Sequence, residues 1–247
     1  MPMSVVKFHA DPDFDPATLS TEISPLRAGE RIRMLHERLG DRLVATTSFG
    51  IQAAVMLHLI HEHAPKIPIV FIDTGYLFPE TYRYIEQLSG LLDKLDLRIY
   101  QPAVTAARME ALWGRLWEGG QEDMDRYAMV TKIEPMNRAL RELGADVWLS
   151  GLRRSQSSTR SDRPFVERQK KTLKAYPILD WADVQVDLYF RQNDLPRHPL
   201  ADQGYLTMGD WHSTKPAENG QAEATRFNGV KYECGLHLES TTSDFQI

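Results

Sequence analysis

Residues 42–63 read RLVATTSFGIQAAVMLHLIHEH. The stretch opens on apolar and β-branched side chains, passes through Thr47, Ser48 and Gly50, and continues with apolar residues three and four apart. That order predicts a strand, a tight turn and a helix. The same unit recurs downstream. PIVFIDT (68–74) reads as a strand and PETYRYIEQLSGLL (79–92) as a helix with Pro79 in its first turn. LRIYQP (97–102) is a third strand, MEALWGRLW (109–117) and EPMNRALRELG (134–144) are helices, and DVWLSG (146–151) is a fourth strand. TLKAYPILDW (172–181) adds an extended segment before the helical ADVQVDLYFRQND (182–194). Strands alternating with helices predict the α/β class, a doubly wound and mostly parallel sheet.

A chain of 247 residues with 42% hydrophobic content has ample core for one large α/β domain or two small ones. Pro2, Pro12, Pro16 and Pro25 make residues 1–28 an N-terminal arm that forms elements poorly. Residues 29–212 carry the alternating pattern and form the α/β domain. Residues 213–247 begin with the polar STKPAENGQAEATRFNG and form a mobile C-terminal tail. The net charge of -5 argues against general nucleic-acid binding. Residues 153–174 nevertheless hold eight Lys or Arg against Asp162 and Glu167, a local excess that suits a small anionic ligand. MPMSVVKFHADPDFD lacks an apolar signal core and no apolar run is long enough to span a bilayer, so no membrane association is expected. A reducing cytoplasm is the expected compartment.

Cys234, in KYECGLH (231–237), is the single cysteine. One thiol forms no internal disulfide, zinc ribbon or four-thiolate iron-sulfur site. Its polar neighbours favour an exposed thiol, activated if Lys231 or protonated His237 lowers its pKa; the competing account is a small buried core residue.

Ligands of such folds sit at the carboxyl ends of the strands. Three ends are suitable. Backbone N–H groups after Ser48 and around Gly50 could receive an oxyanion at a helix N-terminus, with Ser48 as the cap; the loop lacks the GK[ST] of a Walker A motif. Asp73 could accept hydrogen bonds from a ribose hydroxyl or adenine amine beside Thr74, or it could cap the helix ahead of Pro79. Arg153, Arg154 and Arg160 could grip phosphate or sulfate oxygens in pairs, or could form surface ion pairs. Other features are discounted. DPDFDP (11–16) is no calcium loop because Pro16 stands where the turn needs glycine. His58, His61 and His63 read as a packed or solvated helix face, and Trp113 and Trp117 as core anchors.

SFGIQAA (48–54), DTGYLFPETY (73–82), KIEPMNRAL (132–140), GLRRSQSSTR (151–160), QGYLTMGDWHSTKP (203–216) and ECGLH (233–237) occur in the order found in phosphoadenylyl-sulfate (PAPS) reductases, which the chain resembles over residues 40–238. The resemblance is to the cluster-free, thioredoxin-dependent assimilatory type. It implies a fold of the PP-loop ATP pyrophosphatase (adenine nucleotide alpha hydrolase-like) kind. Against the loop form SGGxDS, Phe49 replaces a glycine and Gln52 the aspartate, which implies weak triphosphate and magnesium handling. The implied reaction converts PAPS to sulfite and adenosine 3',5'-bisphosphate through S-sulfocysteine at Cys234, resolved by thioredoxin or glutaredoxin, with no bound cofactor. His237 would tune Cys234. Ser48 and Gly50 would hold sulfate and phosphate oxygens, Asp73 and Thr74 the adenosine, and Arg153, Arg154 and Arg160 the anionic groups, including the 3'-phosphate. Lys132, Arg226 and Lys231 would close over the phosphosulfate. Family members are commonly homodimers. The rival readings are a cluster-free adenylyl-sulfate (APS) reductase, a non-catalytic nucleotide sensor, and an ATP-using adenylyltransferase.

Overall fold

The computed structural model describes residues 14–157, 160–169 and 172–217. Its centre is a six-stranded sheet in the order β3-β2-β1-β4-β6-β5, built from β1 (Leu43–Thr47), β2 (Pro68–Ile72), β3 (Asp96–Tyr100), β4 (Val147–Leu149), β5 (Val166–Gln169) and β6 (Thr172–Ala175). All neighbours run parallel except β5, which pairs antiparallel to β6 with Glu167 opposite Lys174. The strands alternate between two apolar faces. Leu43 and Ala45, Ile69 and Phe71, and Val147 and Leu149 enter the larger core, while Val44, Val70 and Trp148 enter the smaller one. Burial on both faces is what a parallel sheet between helical layers requires. The larger core takes α2 (Ala28–Leu39), α3 (Ala53–His63), α4 (Pro79–Leu91) and α8 (Asp183–Gln192); the smaller takes α7 (Glu134–Glu142).

Three expectations need correction. The N-terminal arm contains a helix, α1 (Pro16–Ile23). Pro16 stands at its first turn, where no intrahelical N–H is needed, and the Asp15 carboxylate caps it by accepting from Thr18 N at 2.8 Å. Leu19 and Ile23, one turn apart, are fully buried. The buried Arg31 fastens this end of the chain, donating to Ile23 O, Ser24 O, Pro177 O and both oxygens of Asp180. Asp15→Ala should destabilise the protein by about 1 kcal/mol, read as a lower urea midpoint; an unmoved midpoint would mean the cap contributes nothing.

MEALWGRLW is not one helix. α5 (Ala106–Trp113) stops at Gly114, whose φ of 73° continues no right-handed helix, and a short turn follows over Leu116–Glu118 ahead of α6 (Gln121–Ala128). Trp113 and Trp117 do pack against a satellite core of Tyr76, Met109, Leu116 and Tyr127. α3 begins only at Ala53, so Ser48 does not cap it. The cause is Phe49, whose φ of 47° breaks the helix path and turns its ring into the core, 5.0 Å from the Phe71 ring. The face of α3 carrying the histidines is packed. His58 Nδ1 is 2.8 Å from Tyr189 Oη, and the His63 ring lies against Gly29.

The fold places all parallel strand ends on one edge. Strand order reverses between β1 and β4, so the loops after these two strands face each other across a crevice.

Candidate functional site

The loop after β1 forms the first wall. Thr47 Oγ1 accepts from Phe49 N at 3.1 Å, setting the turn, and Ser48 is exposed. The N–H groups of Gly50, Ile51 and Gln52 reach no protein acceptor among the described residues. Such a run of donors ahead of a helix suits an oxyanion. A Cβ at Gly50 would meet Ser48 Oγ at 3.5 Å and Met208 Cβ at 3.9 Å, both ordinary contacts, so the protein's own packing does not demand glycine there. The Phe49 ring does not enter the loop mouth. The departure from SGGxDS that reaches the crevice is Gln52.

The loop after β4 forms the facing wall, and Arg153 joins the two. Its side chain is 2% exposed; it donates to Gln52 Oε1 (2.5 Å), Asp183 Oδ1 (2.7 Å), Ser155 Oγ (2.8 Å) and Trp181 O (3.2 Å). Arg153 therefore braces the crevice from behind. Arg154 spends two donors on Arg163 O and sits 5.3 Å from the Phe165 ring centre. Arg160 is buried and donates to Gln156 Oε1 at 2.8 Å, the same oxygen that accepts Arg153 N at 3.0 Å. The arginines thus build one another's loop, and Arg160 stands next to it in a cationic setting.

Asp73 follows β2. Its carboxylate accepts from Gly75 N (2.9 Å), Tyr82 Oη (2.7 Å) and Gln101 Nε2 (3.3 Å), joining the ends of β2 and β3. It does not cap α4, whose first turn has no side-chain cap. Gly75, with φ of 78°, supplies the turn that a side chain would strain. Burial, and then the Asp73 carboxylate, push the Tyr82 hydroxyl up, so it donates to Asp73 across the working pH range.

Thr74 faces inward, and its hydroxyl donates to Asp210 Oδ1 at 2.5 Å. Lys132, carried on the single π-helical turn Met129–Ile133, donates to Asp210 Oδ2. Burial alone would raise the Asp210 carboxyl. The Lys132 ammonium, its hydrogen bond, that of Thr74 and the nearby His212 outweigh burial and hold the carboxyl below its ordinary value. His212 stacks on Trp117 at 4.0 Å and 13°, with its Nε2 3.0 Å from Tyr127 Oη. The structure places Ser48 and Gly50 after β1, Asp73 and Thr74 after β2 with Lys132 joined to Thr74 through Asp210, and Arg153, Arg154 and Arg160 in the loop after β4, where Arg154 turns toward Phe165. Arg226, Lys231, Cys234 and His237 lie outside the described residues. Residues 213–217, assigned to the tail, begin anchored: Ser213 and Thr214 are buried and Ala217 N donates to Gly204 O.

Sequence reading missed Asp210, Tyr82, Gln101 and the Gln52 link. A signal existed for Asp210, a lone carboxylate between Met208 and Trp211, since a buried acid needs a partner.

The family model of the phosphoadenosine phosphosulfate reductase domain matches residues 42–216. The chain is 48% identical over 229 residues to phosphoadenosine 5'-phosphosulfate reductase of Photobacterium profundum, covering 92% of this chain and 90% of that one. It is 49% identical over 223 residues to the Synechococcus protein of that name, covering 89% and 96%. Among solved structures, phosphoadenylyl-sulfate reductase from Candida auris in a phosphate complex superposes with a TM-score of 0.72 at 29% identity, covering 83% of this chain and all of that one. Candida glabrata FMN adenylyltransferase with FAD and inorganic pyrophosphate reaches 0.52 at 16% identity over 97% and 82%, a likeness of fold alone. The shared architecture is that of the PP-loop ATP pyrophosphatase-like class.

Proposed function

Since the chain belongs to the phosphoadenosine phosphosulfate reductase family, we propose that it reduces 3'-phosphoadenylyl sulfate to sulfite and adenosine 3',5'-bisphosphate. The observation that carries the reading is the crevice between the β1 and β4 loops, with N–H groups at 50–52 that meet no acceptor among the described residues on one wall and the arginine loop on the other. The sulfated end of the nucleotide lies against the N–H groups, and the adenosine lies toward Asp73.

The Cys234 thiolate attacks the substrate sulfur. An S–S bond forms, the S–O bond to the phosphate breaks, and its electron pair leaves on adenosine 3',5'-bisphosphate. A thiolate of a reduced dithiol carrier, thioredoxin or glutaredoxin, then attacks Cys234 Sγ and expels sulfite. The carrier's second thiol resolves the mixed disulfide, so the carrier dithiol supplies both electrons. His237 orients or tunes the thiol. Lys132 is anchored on Asp210 through one of its three N–H donors and turns the others, with Arg226 and Lys231, toward charge on the departing phosphate. Four-thiolate cluster chemistry has no counterpart in a chain with one cysteine. The reading places a homodimer in a reducing cytoplasm, in assimilatory sulfate reduction.

The test is the intact mass of the reduced protein after incubation with PAPS, or with APS, and no dithiol. Gain of one SO3 on Cys234 from PAPS alone is expected. Gain from both nucleotides moves the specificity to APS as well, and gain from neither, in protein that binds nucleotide, replaces the enzyme with a sensor.

Arg160 carries the 3'-phosphate assignment. Loss of one charge-assisted contact of about 1.5–3 kcal/mol means that Arg160→Ala should weaken PAPS by about tenfold or more and APS far less. Equal losses in the two KM values would remove Arg160 from the 3'-phosphate.

A further inference from the structure

Asp210 lies far along the chain from the residues it touches: 136 positions from Thr74 and 78 from Lys132. Its carboxylate is 1% exposed and is divided between them, Oδ1 to the threonine hydroxyl and Oδ2 to the ammonium. The backbone around it is fastened as well. Residue 210 bridges antiparallel to Leu77, Trp211 N donates to Tyr76 O at 2.8 Å, and Ser213 N donates to Asp210 O at 3.1 Å. The carboxylate therefore sits on a strap that closes the β2 loop.

A buried ion pair is a poor way to hold a fold together. Desolvating both ions opposes their attraction, and apolar residues of similar volume commonly stabilise as well or better. Lys132 also arrives on a π turn, a backbone form frequent at functional sites, which here lets Thr131 and Lys132 both face inward, at 1% and 8% exposure. A free lysine has many rotamers to lose. Fixing its head before an anion arrives removes that cost from binding.

We propose that Asp210 is a positioning residue for anion recognition, holding the Lys132 ammonium and Thr74 at the end of β2 so that Lys132 meets the nucleotide phosphate already oriented. The inference rests on the nucleotide-binding part of the proposed function. A carboxylate near an anion site has a second, opposing effect, repulsion of the ligand. The two effects predict opposite signs for its removal, which makes the role measurable.

The experiment is a double-mutant cycle over Asp210→Asn and Lys132→Met, reading the dissociation constant of adenosine 3',5'-bisphosphate by calorimetry. Asp210→Asn keeps the shape and removes the charge. It should raise Kd about tenfold, the size of one misplaced charge-assisted contact. In the Lys132→Met background the same change should add less than about twofold, because the residue acts through the lysine. A merely structural role would lower the binding stoichiometry, as protein unfolds, and leave Kd in place. An unchanged or tighter Kd in Asp210→Asn overturns the proposal, as does an equal loss with and without the lysine. If Asp210→Asn fails to fold with its lone buried ammonium, the uncharged double variant decides: Kd equal to that of Lys132→Met supports the proposal, and a much higher Kd overturns it. Wild-type protein that binds the nucleotide and releases no sulfite from PAPS refutes the reductase reading and leaves the cycle valid. Wild-type protein that binds no nucleotide refutes both.

Discussion

Sulfite release should fall by on the order of 10⁴–10⁶ in Cys234→Ser, the scale of loss when a covalent nucleophile is removed, while the variant should still bind adenosine 3',5'-bisphosphate. The reasoning is chemical. Reducing sulfate sulfur directly demands that one donor deliver two electrons while a nucleotide leaves; covalent capture divides that into two displacements at sulfur. A serine hydroxyl is protonated at neutral pH and far less nucleophilic toward sulfur, and an O-sulfo serine offers a carrier thiol no sulfur to attack in place of the cysteine Sγ. No second cysteine in the chain can substitute. Binding persists because the crevice is assembled from the β1, β2 and β4 loops. Sulfite measured with a thiol-independent assay, alongside calorimetry, checks both halves. Near-normal sulfite production would remove the covalent route.

Arg153→Met should lower stability by about 1–3 kcal/mol and nucleotide affinity with it. The variant leaves the half-buried Gln52 Oε1 without its partner, at about 1–3 kcal/mol, while Trp181 O keeps the Ser155 hydroxyl at 3.3 Å. Asp183 adds little, since its side chain is 71% exposed and returns to water. For a chain of this length the loss corresponds to a fall in Tm of about 2–12 °C. Affinity falls because Gln52 is released, and with it the loop that offers the N–H groups of 50–52. Arg153→Lys should recover only part, as an ammonium cannot span four acceptors held by a planar fork. Thermal unfolding and calorimetry on the same samples decide. Lost binding at an unchanged Tm would return Arg153 to direct contact with the ligand.

The elements legible in the sequence were those whose signal is local. RLVATTSF and IQAAVMLHLIHEH became β1 and α3 because apolar spacing reflects a face that must be buried, whatever it is buried against. Polar VERQ gave no such signal; it becomes β5 only because β6 offers an edge. Gly114 breaks a helix that its neighbours favour, and Asp15 starts one where four prolines argued for none.

The site divides along the same line. The class of fold, the mostly parallel sheet and the three strand ends gathered on one edge were determined by the sequence itself, since alternation of periods two and 3.6 constrains topology to a few right-handed solutions. The single cysteine and the arginine loop were equally plain. That Arg153 ties the β1 loop to the β4 loop, and that Lys132 and Thr74 share one carboxylate, were decided only by the tertiary structure. Gln52 meets Arg153 across 101 positions and Lys132 meets Asp210 across 78. A buried donor must find an acceptor, but composition and spacing do not specify which one. Only the packing of the sheet brings the pair within hydrogen-bond reach.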